Sequence, residues 1–425
     1  MNNFDAIIGY DREKDELKQI CDTLKRREHY ASFGVKPPKG VLLEGVPGVG
    51  KTMMAWALID GSGLKYYHVK KDKPDGEFVK SITQAFEDAK ANAPSLIFLD
   101  DVDKFAEQSG RDNANQEEFV AIQTGMELIR DCDVMVIATA NEISYLPESL
   151  RRNGRFDKII SVTFPTGEDA IKIIDHYLEG KRVAKNVQGK YIAKMMTKCS
   201  CATLSTVLNE AGIYAAYNDC CEISFEHITA AIARIVGNIN LYEHPCSRKE
   251  LERTAYHEAG HAVMAMLSKG LEPTLSTVCK YDGKRGVCFY DMNKGDYTDF
   301  TLLEERIMCA LGGRAAEMVQ FGEIFPGGIS DNEHAYSQME ELLTQECMLG
   351  YKYAYFKASW DERVSRVKMD AIENRISESL EEYFNKAKMI IMKHKKLLDR
   401  VADGLMEKRV LSIVEFEQIL AETDD

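Results

Sequence analysis

The stretch GVLLEGVPGVGKT, Gly40 to Thr52, decides the fold of the first part of the chain. A short apolar run breaks into a glycine-rich loop that ends in Lys-Thr, and a helical pattern follows. Strand, GxxxxGK[ST] loop and helix together make a phosphate cradle. Gly45, Gly48 and Gly50 let the backbone turn its N–H groups toward phosphate oxygens, with Val46, Pro47 and Val49 between them. Lys51 reaches the outer phosphates and Thr52 offers its hydroxyl to Mg2+.

Further along, SLIFLDDVD reads as an apolar strand ending in Asp100 and Asp101. Beside a phosphate loop, Asp100 is placed to hold Mg2+ through water, and Asp101 to orient or deprotonate the attacking water. A third strand, DVMVIATANE, ends at Asn141, at the height of a γ-phosphate. In LRRNGRFDKI, Arg152 and Arg155 carry planar guanidinium groups of the kind that neutralise charge on a phosphoryl group in flight, with two ordinary surface arginines as the alternative. If they act on a neighbour's nucleotide, the assembly must be a ring. Apolar strands alternating with helical segments predict an α/β domain with a parallel sheet over residues 1–165. Residues 166–240 read as a small helical lid, because apolar residues recur three and four apart in TVLNEAGIYAAYN and FEHITAAIARIV. NINLYEHPCSRKE is the expected linker into a mainly helical domain over 241–425. That domain is interrupted between about 271 and 290 by a hairpin centred on Asp282-Gly283.

A second constellation lies in TAYHEAGHAV, Thr254 to Val263. Residues four apart share a helix face, so His257 and His261 can present ring nitrogens to one ion, with Glu258 placed to deprotonate water there. Two histidines on a polar face are the ordinary alternative. Gly260 argues against it, because glycine weakens a helix by about 1 kcal/mol relative to alanine unless something must approach closely.

The 54 basic and 68 acidic side chains leave a net charge of −14, a negative field that excludes nucleic acid as the main partner. The eleven cysteines include no CxxC pair, so buried, reduced thiols are expected rather than disulfides or a thiolate zinc site. Neither a signal peptide nor an apolar run of membrane-spanning length is visible. The expectation is a cytoplasmic protein without a membrane span.

Together GVPGVGKT, LIFLDD, TAN and NGRFD resemble the AAA+ ATPases, and with HEAGH downstream the chain resembles the FtsH-like zinc metalloproteases. The resemblance runs through LNEAGIYAA, LGGRAAE and ISDNEHA in the family's order, over nearly the whole length. It implies a P-loop AAA+ module followed by a zinc metallopeptidase domain. Its cofactors would be ATP, Mg2+ and Zn2+. It further implies a homo-hexameric ring that hydrolyses ATP, draws protein substrates through a pore and cuts them in a zinc chamber.

The third zinc ligand implied by the family is an aspartate in GGISDNEHAYS. An ungapped comparison points to Asn332, but Asp331 is chosen because an anionic oxygen binds Zn2+ better than an amide. Glu317 would support the site without binding metal, and His334 would face solvent.

Three departures from the family bear on function. Asp101 stands where the family has a glutamate one methylene longer, which predicts slower or differently tuned hydrolysis. HVKKDKPDGEF replaces the aromatic-hydrophobic-glycine pore loop, so Phe78 or the lysines would have to grip substrate. The membrane helices that precede the family's ATPase are not seen, which points to peptide or protein substrates outside the membrane, with recruitment by an adaptor as one option. The first two departures also motivate a second reading, an ATP-dependent unfoldase or remodelling factor with little or no peptidase activity.

Overall fold

A computed structural model of the chain describes residues 3–71, 75–105, 116–152, 154–241, 247–281, 284–292, 300–326, 328–344 and 366–423. It divides into two compact units, one of residues 1–181 and 198–209 and the other of 182–197 and 210–425.

The first unit opens with helices α1 (Asp11–Lys25) and α2 (Arg27–Ser32). Strands and helices then alternate as β1 (Gly40–Glu44), α3 (Lys51–Ser62), β2 (Lys65–Val69), α4 (Asp75–Ala91), β3 (Ser95–Leu99), α5 (Gln116–Leu128) and β4 (Val134–Ala140). Strand β5 (Lys158–Ser161) and helix α6 (Gly167–Leu178) complete the alternation. All five strands are parallel, in the order β2-β3-β4-β1-β5. Strands β1, β3 and β4 are buried almost throughout, as their unbroken apolar sequences require. One face of the sheet packs Leu42, Ile97, Leu99 and Val136 against Phe78, Ile82 and Phe86 of α4 and Ile122 of α5.

The order of strands matters more than their number. It sets β1 between β4 and β5, and β4 between β1 and β3, so the carboxyl ends of β1, β3 and β4 lie side by side. A ligand crevice in a parallel sheet opens at such an edge.

Helices α7 (Gly189–Met195), α8 (Cys201–Tyr217) and α9 (Phe225–Ile235) follow. Beyond them the second unit carries strand β6 (Ile239–Asn240), helix α10 (Arg248–Leu267) and the antiparallel strands β7 (Leu271–Tyr281) and β8 (Lys284–Met292). It ends in helices α11 (Phe300–Phe321), α12 (Ile329–Thr344), α13 (Arg366–Lys393) and α14 (Lys395–Lys408), strand β9 (Val410–Ser412) and helix α15 (Ile413–Thr423). Strand β9 pairs with β7, a second interruption of the domain expected to be mainly helical. The hairpin expected between 271 and 290 is formed by β7 and β8, although its turn residues Asp282 and Gly283 lie outside the described residues.

Helix α10 starts with a capping box, in which Ser247 and Glu250 satisfy each other's backbone N–H. It then runs into the domain core against α11. A Cβ at Gly260 would stand 2.3 Å from the Gly312 carbonyl oxygen, and one at Gly312 would stand 2.7 Å from that of Gly260. The close approach that Gly260 predicts is therefore backbone-to-backbone contact between α10 and α11. No described helix is long and apolar enough to cross a membrane.

One expectation is overturned. Phe78 is 1% exposed, wedged edge-on against Phe105 at 5.0 Å between ring centroids. A side chain holding the core together has no free face with which to grip substrate.

Candidate metal centre and nucleotide site

Helix α10 places His257 and His261 one turn apart on its inner face, and the first turn of α12 brings Asp331 to them. His257 Nε2 lies 3.1 Å from Asp331 Oδ2 and 3.2 Å from His261 Nε2, and His261 Nε2 lies 3.6 Å from the same carboxylate oxygen. The three atoms converge closely enough for one ion to touch all of them.

The other ring nitrogens are held. His261 Nδ1 is 2.7 Å from the Cys309 carbonyl oxygen, which only accepts, so the ring proton sits there and the Nε2 lone pair faces the cluster. His257 Nδ1 is 2.7 Å from Glu317 Oε1, and the second oxygen of Glu317 accepts the Phe325 N–H at 3.0 Å. Glu317 is thus a support and not a member of the converging set, while His334 is exposed at the rim. These donors fit Zn2+: two imidazoles whose Nδ1 atoms are held by acceptors, so that each Nε2 is the atom left to bind an ion, and one carboxylate, with space left for a reacting group.

The electrostatics also ask for a cation. Burial opposes charge on His257, yet Asp331 and Glu317 overcome it and raise the imidazole to about 10. Burial alone would raise Asp331, but the two imidazoles hold it far below the usual carboxylate range. Glu258 is pushed up to about 7 by burial, against the pull of both histidines.

Glycines make the space. A Cβ at Gly313 would come within 2.6 Å of both Nε2 atoms. At Gly328, where φ is +61°, it would stand 2.9 Å from Asp331 Oδ2, and at Gly286, where φ is +76°, it would stand 2.3 Å from Glu258 Oε1. A cavity of about 790 Å³ opens over the cluster. None of these three glycines was among the sequence-derived candidates, although the GG pair of LGGRAAE marked one of them.

In the first unit the P-loop leaves β1 with Gly45 at φ +146°, Gly48 at +81° and Gly50 at +101°, and Gly50 caps α3. A Cβ at Gly45 would meet the Val162 carbonyl oxygen at 2.0 Å, so this turn accepts only glycine. Behind the loop, the Ala202 N–H donates to the Gly48 carbonyl at 3.1 Å, and Val49 is buried. Lys51 Nζ donates to the carbonyls of Gly45 and Val46, at 2.6 and 3.0 Å, and to Asn141 Oδ1 at 3.0 Å. Burial lowers its pKa, and Asp101, Asp103 and Asp100 work in the opposite direction.

Asp100 Oδ1 accepts from Thr52 at 3.2 Å and from Thr139 at 2.8 Å, which joins the ends of β3 and β4 to the start of α3. Asp101 follows with a left-handed backbone, φ 54°, and its carboxylate accepts from Lys104 at 2.6 Å. Asp103 takes the Asn141 N–H at 3.1 Å and so fixes the end of β4. Sequence reasoning passed over Thr139, Asp103 and Lys104, each of which acts through a neighbour. Of the two arginines, Arg155 is tied to the Ser149 carbonyl at 2.8 Å and to Glu127 at 3.3 Å. Arg152 is exposed and has no ion-pair partner among the described residues.

Two family models match: the ATPase family associated with various cellular activities (AAA) over residues 41–164, and Peptidase family M41 over residues 244–419. The ATP-dependent zinc metalloprotease FtsH of Synechococcus sp. (strain JA-2-3B'a(2-13)) is 29% identical, over 98% of this chain and 70% of the relative. FtsH 3 of Synechocystis sp. (strain ATCC 27184 / PCC 6803 / Kazusa) is 28% identical over 98% and 73%. FtsH 1 of Methylacidiphilum infernorum (isolate V4) is 30% identical over 98% and 69%. With Zn2+, ATP and Mg2+ as its cofactors, the chain belongs to the FtsH family of ATP-dependent zinc metalloproteases.

Proposed function

We propose that the protein degrades protein substrates at the His257–His261–Asp331 cluster, and that ATP hydrolysis at the P-loop drives their unfolding and delivery. The observation that carries this reading is the convergence of three ligand atoms beside a buried glutamate, under a cavity of about 790 Å³. His257, His261 and Asp331 hold Zn2+, with Glu317 and the Cys309 carbonyl fixing the two rings. When bound, the ion supplies Lewis-acid polarisation of the scissile carbonyl.

The remaining steps belong to side chains of this chain. Glu258 takes the proton of the attacking water on its carboxylate and hands it to the leaving amine nitrogen. Burial favours this proton-carrying role, because a carboxyl out of water parts less readily with a proton. At the other site, the P-loop amides and Lys51 bind the nucleotide phosphates, and Thr52 and Asp100 face the Mg2+ position. Asp101 is the base for the attacking water, and Asn141, set by Asp103, reaches the γ-phosphate.

Residues 1–165 serve as the nucleotide-binding domain, 166–240 as its lid and 241–425 as the peptidase. The assembly is a homo-hexamer in which Arg152 meets a neighbour's nucleotide. Cysteine usage without paired motifs favours the reducing cytoplasm, where an adaptor can present substrates.

The test is degradation of an unfolded model protein. It is expected to require both Zn2+ and ATP, and to stop in Glu258→Gln while ATPase activity continues. Undiminished degradation by Glu258→Gln ends the assignment.

A further inference from the structure

The proposed peptidase cleft has one end that its catalytic groups do not use. Glu250, Arg253, Thr254, His257, Glu258 and His261 all line the cavity, and their spacing makes them a single stripe along α10. Arg253 is one turn before His257, about 6 Å along the helix axis, which is roughly two residues of an extended peptide. Its guanidinium lies 3.5 Å above the Phe325 ring, and its one ion pair among the described residues, 3.7 Å to Glu323, is with a side chain left 66% exposed. Stacking of this kind fixes the plane of the guanidinium and leaves its edges free to bind a carboxylate.

Strand β8 supplies a second cation to the same cavity. Arg285 on β8 also lines the cavity and precedes Gly286, the residue packed against Glu258. It is exposed and has no ion-pair partner among the described residues. Among the described residues that line the cavity, the carboxylate at this end of α10 is Glu250; it is committed to the helix cap, where it accepts from the Ser247 N–H at 2.9 Å and the Ser247 hydroxyl at 3.0 Å, and Arg285 is near enough to act on it electrostatically. Two guanidinium groups therefore line the cleft, and among the described residues the acids beside them are Glu250, held in the cap, and Glu323, which is largely exposed.

We propose that Arg253 and Arg285 form a subsite that selects an acidic side chain of the substrate, about two residues from the cleaved bond, and so biases the enzyme toward acidic segments. This inference rests on the peptidase reading above. A carboxylate is the chemistry that a stacked, planar guanidinium recognises by paired, charge-assisted hydrogen bonds. The substrate's C-terminal carboxylate offers the same chemistry and is separated from a side chain in the test.

The zinc-loaded chain, residues 1–425, is given short peptides with one cleavable bond and Glu, Gln or Lys at the second position on either side, each with a free or an amidated C-terminus. The expected kcat/KM for Glu exceeds that for Lys by about five- to tenfold at one of the two positions, whatever the C-terminus. The R253E/R285E double variant is expected to reverse that order, and R253Q and R285Q each to reduce the ratio. Because each ratio is internal to one protein preparation, a loss of folded enzyme does not alter it.

Ratios within about twofold at both positions in the parent protein, or a preference retained by the double variant, overturn the proposal. A preference that follows the free C-terminus overturns the side-chain assignment. The same peptides are also bound to zinc-loaded Glu258→Gln protein and followed by fluorescence anisotropy. Absence of any cleavage with Glu still favoured in Kd removes the peptidase reading and keeps the subsite. A Kd indifferent to charge removes the subsite alone.

Discussion

At the scale of single residues, the metal centre depends on side chains that are missing as much as on those present. Gly313 has no Cβ where one would stand 2.6 Å from both Nε2 atoms. Gly313→Ala is therefore expected to lose stoichiometric zinc with the helix still formed, as read by metal analysis beside circular dichroism. Glu317 touches no ligand position but holds His257 Nδ1 at 2.7 Å. Partners of this kind change metal affinity by about 10- to 100-fold when removed, so Glu317→Gln is expected to weaken zinc binding on that scale in a chelator competition. Unchanged zinc affinity would show that the ring is oriented by packing alone.

At the scale of elements, Phe78 separates a core role from a substrate-gripping one. It seals α4 onto the sheet, so Phe78→Ala is expected to cost about 3–5 kcal/mol of stability, seen as a lower denaturant midpoint with an unchanged slope. A pore residue would instead leave stability intact and slow degradation. The sequence misleads here because an isolated aromatic in a polar segment looks exposed until the helix around it is known. Strands β1, β3 and β4 were legible as unbroken apolar runs, because both faces of a central parallel strand are covered. Edge strands β2 and β5, KYYHV and KIIS, keep polar or exposed positions and gave no such signal. His257 and His261 were legible because four-residue spacing is a local property of a helix. Asp331 comes from another helix, and spacing alone could not choose it; the family pattern marked the segment, and the preference of Zn2+ for an anionic oxygen over the amide of Asn332 chose the residue. The Cys309 carbonyl leaves no trace in the sequence, since every residue has one.

At the scale of the whole molecule, the question is whether one chain can complete an ATPase site. Lys51, Thr52, Asp100 and Asn141 gather at the sheet edge of a single copy, but Arg152 is exposed, while Arg155 is bound to Glu127 and the Ser149 carbonyl of its own chain. A guanidinium supplied to the phosphoryl group is worth about 10³–10⁵ in rate, so a site without one is nearly silent. If Arg152 serves a neighbour, Arg152→Ala keeps nucleotide binding and loses hydrolysis, and Lys51→Ala loses binding yet still carries a usable arginine. Each variant alone is expected to be inactive. Mixed in equal amounts, with time for subunits to exchange, they are expected to regain a fraction of the parent rate, because some interfaces then pair an intact P-loop with an intact Arg152. Light scattering in ATP is expected to show a large ring for the parent and for the mixture. Full-size rings whose mixture stays inactive would mean that Arg152 serves its own subunit or none.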